Sequence, residues 1–138
     1  MIKGISHITL VVRNLDTASD FLRKIFDARE LYSSGNKQFS LSKEKFFLVN
    51  DVWICIMEGD SLSERTYNHI AFLISESDFE SYVSKIQAAN VEIKPARPRV
   101  KGEGRSIYFY DSDNHLFELH TGALEERLER YANEYFTS

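Results

Sequence analysis

The sequence has one cysteine, two prolines and no apolar run long enough to cross a bilayer. Cys55 alone cannot close a disulfide within the chain, which fits a reducing compartment rather than a disulfide-stapled secreted scaffold. It lies in the apolar run WICIM and reads as a buried structural thiol. A membrane span needs about 18 apolar residues, and the opening MIKGISHITLVV lacks the apolar core of a signal peptide. A cytoplasmic protein with no membrane partner is expected. Basic residues are not in excess either: 17 Lys and Arg stand against 21 Asp and Glu, a net charge of −4. That balance argues against a nucleic-acid partner, while leaving room for a local basic pocket that takes a small anion. Both prolines, Pro95 and Pro98, fall in KPARPRVKGEGR at 94–105, the most loop-like and locally basic stretch. No Pro/Gly/Ser-rich linker divides the chain.

At 138 residues the chain is long enough to bury roughly 68% of its unfolded surface. What it does contain is a repeat. SHITLVV at 6–12 and NHIAFLI at 68–74 each open a short β-branched run with a histidine, and His7 and His69 are 62 residues apart. Each strand signal is followed by an amphipathic one. Phe21, Leu22, Ile25 and Phe26 form a helical stripe in the first copy, and Phe79, Tyr82, Val83 and Ile86 in the second. Asp16 and Ser75 or Ser77 are the expected N-caps. The strands expected next are FSLSK, KFFLV and VWICIME in the first half, and VEIKP, RSIYFYD and HLFELH in the second. Each half is then a strand, a helix and about three strands. Such a unit cannot close its own core and pairs with a second copy. The first module covers about residues 1–60, the second about 66–122, and LEERLERYANEY reads as a terminal helix at about 123–135.

One residue breaks the strand pattern. Glu118 stands between Phe117 and Leu119, and on an extended chain it shares a face with Leu116 and His120. A carboxylate among apolar neighbours needs a partner or a metal. The repeat offset carried to Glu118 lands on Ile56, with a residue or two of slack for loop lengths. Two imidazoles from equivalent strands, His7 and His69, and the Glu118 carboxylate suit a divalent ion such as Mn²⁺, Fe²⁺, Zn²⁺ or Ni²⁺. Three protein ligands leave positions open for a reactant. His115 faces away from Glu118, and His120 supports the site or merely ends the strand.

These features together resemble the vicinal oxygen chelate (glyoxalase/bleomycin-resistance) superfamily. GISHITL, YNHIAF, EGRSIYFYDSDNHLFELHTG and LEERL, in this order and spacing, are similar to the fosfomycin-resistance proteins within it. FSLSKEKFF and RPRVKGEGRSIYFYD resemble the type that is a metal-dependent epoxide hydrolase. The resemblance implies an α+β fold of two paired βαβββ modules cupped around a metal. It also implies Mn²⁺ on His7, His69 and Glu118, and a homodimer whose sites are shared between chains.

The resemblance further assigns roles. Glu44, which by itself reads as a solvated charge in a turn between Lys43 and Lys45, becomes the general base that activates water. Thr9 shares a strand face with His7 and lies beside the epoxide, though it would also serve as an ordinary strand former. Ser106, Tyr108 and Arg127 hold the phosphonate of fosfomycin, with Lys101 and Arg99 as weaker candidates. Trp53 and Tyr67 wall the pocket. Three rival activities belong to the same resemblance: a metal-dependent thiol transferase adding glutathione, bacillithiol or cysteine to the same epoxide, a non-catalytic protein that sequesters the drug, and a different superfamily enzyme such as a dioxygenase.

Overall fold

The computed structural model describes residues 1–96 and 104–137, with the side chains of 134–137 left aside. Arg99 and Lys101 lie outside the described residues. The chain divides into two units. One comprises Met1–Arg65 with Asp111–His115, and the other comprises Thr66–Tyr110 with Leu116–Ser138.

In the first unit the order is β1 (His7–Val12), α1 (Leu15–Phe26), β2 (Arg29–Ser33), β3 (Glu44–Val49) and β4 (Val52–Glu58). The sheet order is β1-β4-β3-β2, with β1 parallel to β4 and the other pairs antiparallel. The alternation on β1 decides which face is covered. Leu10 and Val12 are buried with Ile54, Ile56 and Phe47 on one face, where α1 packs on β3 and β4 through Leu22, Ile25 and Phe26. Removing Ile25 beyond Cβ would cost about 2–5 kcal/mol, since nothing else fills that space. His7, Thr9 and Val11 point to the opposite face.

The second unit repeats this plan. β5 (His69–Leu73), α2 (Phe79–Ala88), β6 (Ile93–Lys94), β7 (Ser106–Tyr110) and β8 (Leu116–His120) form a sheet of order β5-β8-β7-β6, again with one parallel pair, β5–β8. Phe109 and Phe117 stack at 5.9 Å on the covered face, each fully buried. α3 (Leu124–Thr137) follows β8.

Several expectations need correction. FSLSK is not a strand: Phe39 and Leu41 are 71% and 87% exposed, and RELYS at Arg29–Ser33 takes the place beside β3. Alternation without a face to bury does not make a strand. Glu44 is not a solvated turn charge but the first residue of β3, 8% exposed. The cap of α1 is Asn14, whose Oδ1 accepts from the Thr17 N–H at 2.9 Å, not Asp16. Neither serine caps α2 through its side chain. Ser75 precedes a short 3₁₀ turn, Glu76–Asp78, that leads into the helix. The stripe on α2 is shallower than expected, with Ile86 alone fully buried. Among the described residues no helix is long and apolar enough to cross a membrane.

The strand registers also revise the repeat. Thr9 pairs with Cys55 on β1–β4, and Ala71 pairs with Glu118 on β5–β8. The counterpart of Glu118 is therefore Cys55, not Ile56, because the second unit carries one extra residue between its first and last strands. By the same reasoning Glu44, opposite Met57, corresponds to Ser106, opposite His120.

Candidate functional site

In the second unit, the uncovered sheet face carries His69 and Ala71 from β5, Glu118 and His120 from β8, and Ser106 and Tyr108 from β7. His69 Nδ1 meets the Tyr67 carbonyl at 2.6 Å, and only an N–H can occupy that contact. The ring's Nε2 then faces Glu118 Oε1 at 2.9 Å. A lone pair and a carboxylate oxygen converge there, an arrangement that requires a cation, either a proton or a metal. The donor set fits a divalent ion.

Glu118 is 5% exposed. Burial pushes its carboxyl up, but hydrogen bonds from Ser106 and Tyr108 and the neighbouring His120 and His69 outweigh this and hold it below the ordinary carboxylate range. The Ser106 hydroxyl donates to Glu118 Oε2 at 2.5 Å. Tyr67 adds a further link, its hydroxyl donating to that of Tyr108 at 3.2 Å.

His120 joins this cluster to α3. Arg127 Nη2 lies 3.1 Å from His120 Nε2, and because a guanidinium only donates, Nε2 must accept. The ring proton therefore sits on Nδ1, 2.7 Å from Ser106 Oγ. Donation runs in one direction, from Arg127 through His120 and Ser106 to Glu118. The role of His120, left open by its place at a strand end, is this link. Ser106 spends its only proton on Glu118, so in this arrangement it supports the carboxylate. His69, Tyr108, Glu118, His120 and Arg127, with Tyr67 at one side, line a cavity of about 380 Å³. Tyr67 and Tyr108 also border a second hollow of about 520 Å³ with Lys94, Tyr110 and Leu116, which sequence reasoning did not single out.

The first unit holds the remaining candidates on its uncovered face. His7 lies opposite Trp53, with ring centroids 4.3 Å apart, and Trp53 meets Phe46 edge-on at 5.1 Å. The indole N–H of Trp53 is buried with no hydrogen-bond partner among the described residues. Glu44 is held by its backbone, since Ser34 N–H donates to its carbonyl at 3.0 Å and its own N–H donates to Ser34 Oγ at 3.0 Å. Its Oε2 accepts from Cys55 Sγ at 3.6 Å. Burial, and then the charge of Glu44, push the Cys55 thiol up to about 11. His115 takes no part in either cluster, being tied through Nδ1 to Asp111 Oδ2 at 2.7 Å in the turn between β7 and β8.

Each unit thus presents one βαβββ sheet, and the glyoxalase/bleomycin resistance protein/dioxygenase superfamily model matches residues 4–119. The chain belongs to that superfamily. Fosfomycin resistance protein FosX of Listeria monocytogenes is 66% identical over 131 residues, 95% of this chain and 98% of that protein. A metallothiol transferase, FosB of Shouchella clausii, is 35% identical over 95% of this chain and 88% of its own length. Among solved structures, a FosX variant from Listeria monocytogenes superposes with a TM-score of 0.88 at 62% identity, over 95% of this chain and 99% of that one. That structure is a complex with Mn(II) and 1S,2S-dihydroxypropylphosphonic acid.

Proposed function

We propose that this protein inactivates fosfomycin by Mn(II)-dependent hydrolysis of its epoxide, giving the vicinal diol phosphonate and conferring resistance. One observation carries the reading. The solved relative at 62% identity holds Mn(II) together with a dihydroxypropylphosphonic acid, the diol that water leaves on opening an epoxypropylphosphonate.

The residues of this chain divide the work. Bound by His7, His69 and Glu118, the metal supplies a Lewis acid at the epoxide end of the substrate. Arg127 at the cavity edge supplies charge-assisted hydrogen bonds to the phosphonate, and Tyr108 lines the same cavity. Ser106, Lys101 and Arg99 complete the anion-holding set in the family resemblance. The geometry adds a second duty for Ser106, fixing Glu118. Glu44, buried on the face that carries His7 and Thr9, takes a proton from water as the water attacks the carbon bearing phosphorus. Thr9 stands beside the epoxide, and Trp53 and Tyr67 wall the pocket.

The second unit supplies two of the three ligands, and among the described residues no group of three His, Cys, Asp or Glu side chains gathers for a metal. A homodimer, in which His7 of one chain meets His69 and Glu118 of its partner, completes the triad twice. The enzyme acts in the cytoplasm, consistent with its single free thiol.

The 35% identity to a metallothiol transferase sustains a second reading, in which a thiol replaces water. Metal-stripped protein is mixed with fosfomycin and Mn(II), without thiol, and followed by phosphorus NMR. A diol phosphonate that forms only with metal is the expected result. Turnover only after adding glutathione, cysteine or bacillithiol transfers the protein to the thiol branch.

A further inference from the structure

We infer that Cys55 is the positioning residue of Glu44: its thiol fixes one carboxylate oxygen through a weak hydrogen bond and leaves the other to the attacking water. The inference rests on the reading of Glu44 as the general base.

The geometry is unusual for a buried acid. Glu44 is 8% exposed, a depth at which a carboxylate normally recruits strong donors. Among the described residues its one side-chain hydrogen-bond partner is the Cys55 thiol, 3.6 Å from Oε2. The sulfur is itself buried, 4% exposed, and lies across from Thr9 in the register of the neighbouring strand. Because a carboxylate only accepts, the thiol's own hydrogen is directed at Glu44.

The second unit supplies an internal contrast. Glu44 and Cys55 occupy the positions on β3 and β4 that Ser106 and Glu118 occupy on β7 and β8. Both units therefore build the same diagonal pair of a carboxylate and a donor, with the partners exchanged between strands. The donors differ in strength. Glu118, which must stay ionised to hold a metal, receives a hydroxyl hydrogen bond. Glu44, which must accept a proton, receives a thiol one. A hydrogen bond to a charged carboxylate stabilises the ionised form and weakens it as a base, and S–H is a weak donor. Cys55 thus sets the direction of the carboxylate at little cost to its basicity. No bond to sulfur forms at any step.

The test compares Cys55→Ala and Cys55→Ser in the full-length, Mn(II)-loaded enzyme. Misdirecting the base in C55A should lower kcat by about tenfold or more, with KM for fosfomycin and Mn(II) affinity unchanged. C55S restores the direction with a stronger donor, so kcat recovers in part and the acid limb of the kcat/KM profile moves to lower pH. A readout without turnover is the thiol titration followed by ultraviolet thiolate absorbance. Glu44→Gln should shift the titration of this lone cysteine to lower pH. Unchanged kcat and pH profile in both Cys55 variants would overturn the inference, as would a rise in KM or a fall in metal affinity of the same size as the fall in kcat. Should C55A fail to fold, C55S and the titration decide. An E44Q enzyme that still hydrolyses fosfomycin removes the base reading and this inference with it. An inactive E44Q beside an unaltered C55A removes this inference alone.

Discussion

His69 Nε2 and Glu118 Oε1 lie 2.9 Å apart, while the other nitrogen of the same ring is tied to the Tyr67 carbonyl at 2.6 Å. The carbonyl fixes the tautomer, so the nitrogen facing the carboxylate is the one with a lone pair. Two acceptors held this close are stable only around a cation. The pair is therefore poised to hold a proton or another cation between its two atoms.

Removing one charge from that pair should be costly for the metal. Glu118→Gln is expected to weaken Mn(II) binding by at least the roughly 10–100-fold seen for loss of an outer-shell partner. Electron paramagnetic resonance of free Mn(II) during titration measures it. Unchanged affinity would mean that the ion is held elsewhere.

Ser106 tests the support behind the ligand. Ser106→Ala takes away the hydroxyl that Glu118 Oε2 accepts from, and leaves His120 Nδ1 without its nearest acceptor. Mn(II) affinity should fall by about tenfold or more, with KM for fosfomycin affected less. If KM rises alone, Ser106 serves the phosphonate and not Glu118.

Arg127 should matter through its shape as well as its charge. Arg127→Ala is expected to raise KM by about 10–100-fold, the value of a charge-assisted hydrogen bond to a dianion. Arg127→Lys should recover only part, because an ammonium cannot reproduce the planar fork that reaches both the cavity and His120 Nε2. Full recovery in steady-state kinetics would reduce Arg127 to a point charge.

Cys55 sets an alkaline limit on stability. Its folded thiol is pushed up to about 11 from an ordinary value of 9.0, so the folded state binds the proton more tightly than the unfolded one. Stability from this group is complete below pH 9.0 and is lost as the pH rises toward about 11. Thermal melts between those limits should fall more steeply for the native protein than for Cys55→Ala. Parallel curves would contradict the assignment.

The repeat, the helical stripes and the out-of-place Glu118 were legible in the sequence because they rest on local rules. Apolar spacing of 2 and 3.6 marks strands and helices, and a carboxylate between Phe117 and Leu119 is out of place unless something neutralises it. VWICIME was bounded to the residue, since both faces of β4 are apolar enough to be buried. FSLSK misled for the opposite reason: its alternation is real but no surface covers it, and RELYS takes the edge beside β3. Burial against a neighbour is not a property of a short segment.

The site divides along the same line. Residue types on a strand face were readable, so Ser106 could be placed with Tyr108, and Glu118 with Leu116 and His120, in advance. Which atom of Ser106 meets which atom of Glu118 could not, because hydrogen-bond direction depends on distances of tenths of an ångström between strands far apart in sequence. Glu44 is the sharpest case. Between two lysines it reads as a solvent charge, and only the pairing of β3 with β4 sinks it beside Cys55. The one-residue difference in repeat length, set by a loop, made Cys55 and not Ile56 the counterpart of Glu118. The order and spacing of its motifs determined which superfamily this chain resembles. Strand register alone decided which side chains face each other, because a shift of one residue turns every side chain to the opposite face of the sheet.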